Sequence, residues 1–169
     1  NHILRAAVMN QQKMPRYAYM APSYRQAKSV AWDYLKEFAG KIPGVSFHET
    51  ELRCDLPNGA RIMLLGAERP DSIRGIFLDG VVMDEYADMP ESVLPEIIRP
   101  ALSDRKGWGI LIGTPRGHNA FYEAYERAVN DDTWLAVTYK ASETGIVDNE
   151  ELEAARAMMT ADQYEQEFQ

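Results

Sequence analysis

Apolar positions along this chain fall into short runs whose period switches between helical and extended spacing, and the switches set the expected elements. Ile3, Leu4, Ala7 and Val8 recur at helical spacing within residues 1–12, and Pro15 closes that segment. Residues 16–21 (R-Y-A-Y-M-A) read as a short strand, and Pro22 opens a loop. A long helix is predicted from Ser23 or Tyr24 to Ala39, with Ala27, Val30, Ala31, Tyr34, Leu35 and Phe38 along one side and Gly40 placed to end it. Residues 45–56 and 60–67 flank Pro57-Asn58-Gly59, which predicts a hairpin. Residues 79–85 (D-G-V-V-M-D-E) form an apolar strand ending in two carboxylates. Residues 91–102 are helical, shortened or kinked by Pro95 and Pro100. An apolar strand at 108–114, a helix at 119–129, a strand at 134–141 and one or two helices over 150–168 complete the order.

Apolar, non-alternating strands interleaved with helices are what a parallel sheet covered on both faces requires, so the fold class is α/β. Such a sheet binds its ligand at the carboxyl ends of its strands. A length of 169 residues suits one core, over 1–142, followed by an acidic helical tail at 143–169. Of the net charge of −8, −7 belongs to that tail, where Glu143, Asp148, Glu150, Glu151, Glu153, Asp162, Glu165 and Glu167 face Arg156 alone. The body is nearly neutral, which leaves local phosphate contacts open.

Composition excludes several chemistries. The single cysteine, Cys54, allows no internal disulfide; it lies mid-strand with no histidine to activate it, and reads as packing. His2, His48 and His118 lie in three separate elements without metal-ligand spacing. There is no G-x-S-x-G elbow for a serine nucleophile. No apolar run approaches the ~18 residues of a membrane span and no signal peptide opens the chain, so neither a membrane partner nor secretion is expected.

Four places carry candidate chemistry. Asp84 and Glu85 end a buried strand, and strand alternation would put one on each side of the tip. At a nucleotide-hydrolysing site the first acid holds magnesium and the second orients and deprotonates the attacking water. The plainer reading has both acids simply leaving the core. Gly113-Thr114-Pro115-Arg116-Gly117 follows a second apolar strand; Thr114 can sense a γ-phosphate, or merely cap a turn in which Gly117 supplies a positive φ. Arg74, in D-S-I-R-G, can serve as an arginine finger across a subunit boundary, or form a loop salt bridge with Asp71 or Asp79. Arg25 and Lys28 open the long helix and can meet a phosphate backbone, or form a solvated face paired with Asp33 or Glu37. Tyr17, Tyr19 and Tyr24 read as packing residues rather than a base-stacking platform.

Taken in order, A-P-S-Y-R-Q-A-K, L-P-N-G-A-R-I-M-L-L-G-A, D-S-I-R-G-I-F-L-D-G-V-V-M-D-E-Y-A-D-M and G-I-L-I-G-T-P-R-G-H-N-A-F-Y resemble the large terminase subunit of tailed bacteriophages and prophages, over nearly the whole chain. That resemblance implies a P-loop ATPase domain of the RecA-like class with a mostly parallel sheet, followed by a nuclease domain. It makes Asp84 similar to the Walker B magnesium acid and Glu85 to the catalytic glutamate. Gly113 and Thr114 resemble the coupling motif, and Arg74 a position proposed for a trans-acting finger. The segment holding Arg25 and Lys28 is similar to one that helicase relatives use near DNA, and Arg116 is a further candidate contact. ATP and Mg2+ are the implied cofactors. The implied partners are double-stranded DNA, portal protein, small terminase subunit and a homo-oligomeric ring, working in the host bacterial cytoplasm at the procapsid.

The sequence contains no G-x-x-x-x-G-K-[ST]. In the family that loop precedes a helix like residues 1–12, so the chain is expected to be a piece lacking the first strand, the Walker A loop and the nuclease domain. Loss of an internal strand is expected to leave neighbouring strand edges unpaired and the chain only marginally stable. Alone, it is expected to be weak or inactive as an ATPase. The alternatives are a superfamily-two helicase-like translocase, whose D-E-A-D and S-A-T motifs resemble D-E-Y-A-D and G-T-P here, and a prophage remnant acting only as a binding module.

Overall fold

A computed structural model describes residues 1–168. The chain forms two compact units, Asn1–Ile112 and the residues from Gly113 onward.

The first unit is built on a six-stranded sheet. Its strands are β1 (Arg16–Ala21), β2 (Ser46–His48), β3 (Arg53–Asp55), β4 (Arg61–Gly66), β5 (Gly80–Met83) and β6 (Trp108–Leu111), in the spatial order β2-β3-β4-β1-β5-β6. β4, β1, β5 and β6 run parallel, while β2 and β3 add an antiparallel meander at one side. The expected α/β architecture is therefore present, with Ala18, Met20, Val81 and Met83 fully buried in its central strands. β6 is last in the order and only partly buried.

Helix α1 (His2–Met9) is shorter than residues 1–12. The Asn58 side-chain amide donates to the carbonyls of Ala7 (2.9 Å) and Val8 (3.3 Å), occupying acceptors that the helix end leaves unpaired. The same residue shapes the expected turn: its Oδ1 accepts from the Ala60 N–H at 3.1 Å, and Gly59 takes a φ of +83°. One turn tripeptide thus both reverses the chain and fastens the first helix to the hairpin.

Several boundaries differ from the sequence expectations. Residues 45–56 form two strands, because a turn in which Leu52 adopts a φ of +44° folds β2 back on β3. The long helix is present from Tyr24 to Ala39, as α2 (Tyr24–Ala27), a π-helical turn (Lys28–Trp32) and α3 (Asp33–Ala39). A π turn closes its hydrogen bonds over i→i+5 instead of i→i+4 and so adds a residue to the helical circuit, which shifts the buried stripe. Ala27, Trp32 and Ala39 are buried, whereas Val30 (50% exposed) and Tyr34 (64%) from the predicted face point to solvent. Gly40 ends the helix in the right-handed region (φ −60°), not the left-handed one.

Residues 91–102 likewise become a π turn (Val93–Ile98) that runs directly into α4 (Arg99–Ser103), with Pro100 at the junction, where it supplies no backbone N–H. The predicted strand 134–141 does not form. Trp134 donates to the Asp131 carbonyl (2.9 Å), Leu135 is 87% exposed, and no described residue supplies a ladder partner. Alternation alone does not hold a strand without a neighbour.

The second unit holds α5 (Ala120–Val129), α6 (Ala141–Thr144), α7 (Asn149–Met158) and α8 (Ala161–Phe168). Asn119 caps α5 by accepting from the N–H groups of Phe121 and Tyr122, and Asp148 caps α7 through the Glu151 N–H. Residues 150–168 thus lie in two helices.

Cys54 is buried in β3 with its thiol pushed up to about 11, chiefly by burial and secondarily by the charge of Asp55. That agrees with a packing role.

Candidate functional site

β1, β4 and β5 run parallel and reach the same rim at Ala21, Gly66 and Met83, so the residues just beyond them share the carboxyl end of the sheet. Asp84 and Glu85 stand there. The Asp84 N–H donates to the Met20 carbonyl at 2.8 Å, continuing the ladder for one more residue. Glu85 then departs from it, with φ 52° and ψ 45° in the left-handed region.

This departure corrects the expectation that strand alternation alone separates the two acids: a left-handed turn aims Glu85. Asp84 is half-buried and Glu85 exposed. The turn is strapped on both sides. The Tyr86 N–H donates to the Ile112 carbonyl (2.9 Å), the Ile112 N–H to the Met83 carbonyl (2.9 Å), and the Asp88 N–H to the Glu85 carbonyl (3.0 Å). A non-glycine residue in the left-handed region costs of order 1 kcal/mol or more, and such residues concentrate where function fixes a side chain.

We expect the Glu85→Gly variant to be about 1 kcal/mol more stable than Glu85→Ala by urea denaturation, the reverse of the usual order in regular structure. An Ala variant equal to or more stable than Gly would mean that the turn relaxes.

Both Asp84 oxygens have donors. The Tyr19 hydroxyl donates to Oδ2, and the Glu85 N–H to Oδ1 at 3.1 Å. Burial pushes the Tyr19 phenol well above its ordinary value, reinforced by its bond to Asp84 and by the charges of Asp84 and Glu85. Tyr19, expected to pack rather than to stack on bases, thus also touches the candidate site through Asp84. Its one sequence signal is an even place in a strand next to the acid-tipped one, and that becomes visible only once β1 and β5 are paired.

The start of the long helix lies at the same rim. Ser23 caps it, accepting from the Gln26 N–H, and the Tyr24 N–H donates to the Glu68 carboxylate at 2.9 and 3.0 Å. A carboxylate of the chain itself therefore occupies the foremost backbone donor that Arg25 and Lys28 were expected to share with a phosphate. Gly66 permits this approach: a Cβ there would lie 2.2 Å from the Tyr24 nitrogen and 2.0 Å from a Glu68 oxygen. Arg25 and Lys28 are both exposed and, among the described residues, make no ion pair. The expected partner Asp33 is taken by Lys36, at 3.2 Å.

Arg74 takes the loop-salt-bridge form in part. Its Nε donates to Asp71 (2.8 Å) and its Nη2 to Glu96 (3.3 Å), whereas Asp79 accepts the Arg16 N–H instead. Arg74 also lines a groove of about 300 Å³ with Phe77, Glu96, Ile97, Pro100 and Asp104.

The strand expected to carry Thr114 ends at Leu111, so Gly113 and Thr114 lie beyond it, in the second unit together with Arg116. Gly117 has a φ of +59°, as the turn reading of G-T-P-R-G requires. No cluster of three His, Cys, Asp or Glu side chains that could hold a metal occurs among the described residues. No helix among them is long and apolar enough to cross a membrane.

Solved structures of known proteins share this fold. The chain superimposes on the large terminase ATPase domain of Thermus phage P74-26 with a TM-score of 0.79, at 24% identity, covering 99% of this chain and 79% of that one. The large terminase of another thermophilic bacteriophage, in complex with ADP, gives 0.80 at 17% identity, over 99% of this chain and 42% of that one. These likenesses establish the fold as that of terminase ATPase domains. In sequence, 59 residues are 52% identical to the terminase large subunit of Thermus phage G20c, covering 35% of this chain and 12% of that protein. Across 156 residues, 89% of this chain, identity to the terminase large subunit of Escherichia phage T5 is 26%. The chain spans about a third of the length of that T5 relative. The model of the family described as "Terminase large subunit, T4likevirus-type, N-terminal" matches residues 2–168, and the chain belongs to that family.

Proposed function

We propose that the protein is the ATP-hydrolysing part of a viral DNA-packaging motor that drives double-stranded DNA into procapsids. One observation carries the reading: two adjacent carboxylates stand at the carboxyl rim of a parallel sheet, one held by two hydrogen bonds and the other aimed by a left-handed turn. Open α/β sheets bind their ligands at that rim. The large terminase of a thermophilic bacteriophage, similar to this chain in fold, has been solved with ADP and with ATP-γ-S.

In this reading Glu85 orients the attacking water and accepts its proton, which an exposed carboxylate beyond the strand end can do. Asp84 suits magnesium. Its hard oxygens are half-buried and already oriented, and Mg2+ takes one or two carboxylates while keeping phosphate and water for its other positions. A cation held by Asp84 would supply charge neutralisation at the phosphoryl group being transferred. Gly113 and Thr114, which follow Ile112 in sequence, pass the event on to DNA-gripping elements. Arg25, Lys28 and Arg116 contact the phosphate backbone. Arg74 acts as a finger toward a neighbouring subunit's nucleotide, for which it must exchange its bonds to Asp71 and Glu96.

The phosphate-cradling loop is not in this sequence, so the chain by itself turns over ATP weakly or not at all. The motor's ring, portal and small-subunit partners belong to the full-length protein, acting at the procapsid in the host cytoplasm.

The test is DNA packaging by the full-length protein. With ATP and procapsids, DNA becomes resistant to nuclease, and Asp84→Asn abolishes that protection at millimolar magnesium. Protection at the wild-type rate by Asp84→Asn would remove Asp84 from the mechanism.

A further inference from the structure

We infer that Tyr19 is a positioning residue for the acid pair: its hydroxyl fixes the rotation of the Asp84 carboxylate so that the remaining lone pairs face the cation. This rests on the reading of Asp84 as the magnesium acid.

The observations are geometric. Tyr19 lies opposite Val82 in the β1–β5 ladder, so Asp84, two residues further along β5, is its diagonal neighbour on the same face. The ladder continues through the Asp84 N–H to the Met20 carbonyl at 2.8 Å, which fixes the two backbones against each other. The Tyr19 ring packs on the cluster of Ala21, Ala27, Trp32, Leu52 and Leu64. That hydroxyl donates to Oδ2, while the Glu85 N–H donates to Oδ1 at 3.1 Å.

A carboxylate on a strand end otherwise rotates freely about its Cβ–Cγ bond. Two donors on different oxygens remove that freedom. Each oxygen keeps one lone pair, which is what monodentate binding of a hard cation uses. Groups that hydrogen-bond to metal-ligating side chains orient them, and their loss typically weakens metal binding by about 10- to 100-fold. The link also ties the acid to the hydrophobic core, because the ring that carries the hydroxyl packs against the cluster that holds Trp32 and Leu52.

Tyr19→Phe deletes the hydroxyl and keeps the ring. In the full-length protein with ADP, Mn2+ binding followed by electron paramagnetic resonance is expected to weaken about tenfold, on the order of the usual cost of losing such a partner. The Mg2+ concentration giving half-maximal turnover should rise in parallel, while kcat at saturating Mg2+ returns to within about twofold of wild type. The thermal midpoint separates this from a folding defect, since a purely structural hydroxyl would lower the midpoint and leave Mn2+ affinity unchanged.

Unchanged Mn2+ affinity in Tyr19→Phe overturns the inference about Tyr19. So does a loss of kcat that saturating Mg2+ does not restore. Asp84→Asn, measured alongside, addresses the underlying reading separately: if it binds Mn2+ like wild type, Asp84 is not the metal acid. Weakened binding in both variants supports both statements.

Discussion

Replacing Glu85 by Gln in the full-length protein is expected to lower ATP turnover by roughly 10²- to 10⁴-fold, the usual range for loss of a general base. Nucleotide affinity should change little, because an amide of nearly the same shape keeps whatever the side chain contributes to ground-state binding. A fall in kcat with KM unchanged is the signature of an interaction made only in the transition state. The prediction is sharp because backbone bonds on each side fasten the turn that carries Glu85. The turn is set by backbone bonds on each side, Asp84 to Met20, Tyr86 to Ile112 and Asp88 to Glu85, and an isosteric replacement leaves all three intact. Single-turnover kinetics with a fluorescent nucleotide would separate binding from hydrolysis. Turnover within tenfold of wild type would show that another group accepts the water's proton.

The largest expected loss of stability follows Trp32→Ala, at about 3–5 kcal/mol, the range for emptying a fully buried aromatic site. Trp32 is 1% exposed and meets Phe47 edge to face, with ring centroids 6.0 Å apart. Its indole N–H donates to Glu49 at 2.7 Å, and Lys36 joins that carboxylate at 3.3 Å. The ring therefore fastens the long helix to the β2–β3 meander. Denaturant unfolding of the 169-residue chain measures the effect, with Trp32→Phe as comparison. Phe fills most of the volume and forfeits the indole hydrogen bond, so it should lose less than half as much. A loss under about 1 kcal/mol in Trp32→Ala, below the usual range for such truncations, would mean that the neighbourhood collapses to fill the site. A stability of about 5–15 kcal/mol is typical of whole domains, so the alanine variant forfeits a large part of it.

Trp32 also shows where periodicity misleads. Counting in steps of 3.6 residues from Ala27 selects Val30, Ala31, Tyr34, Leu35 and Phe38, and omits Trp32. One π turn adds a residue to the helical circuit, so Trp32 swings inward while Val30 and Tyr34 swing out. Nothing local in K-S-V-A-W announces that turn. It exists because burying the largest side chain of the helix, with its N–H paired to Glu49, outweighs the poorer hydrogen bonding of five residues. Residues 134–141 fail for the converse reason: their pattern is extended, but pairing belongs to the sheet and not to the segment.

What the sequence determined by itself was the content of the elements. Unbroken apolar runs at 17–21 and 80–83 made largely buried central strands, prolines and Pro57-Asn58-Gly59 placed the breaks, and D-E after V-V-M put two carboxylates beyond a strand end. These follow from short-range rules of chain stiffness and side-chain burial, which act within a few residues. Only the tertiary structure decided how the acids are aimed and held. The left-handed conformation of Glu85, the Tyr19 hydroxyl on Asp84 and the Glu68 carboxylate at the helix start join residues one to 65 positions apart. Such bonds depend on strand order and register, which are settled by the packing of the whole sheet rather than by any segment of it.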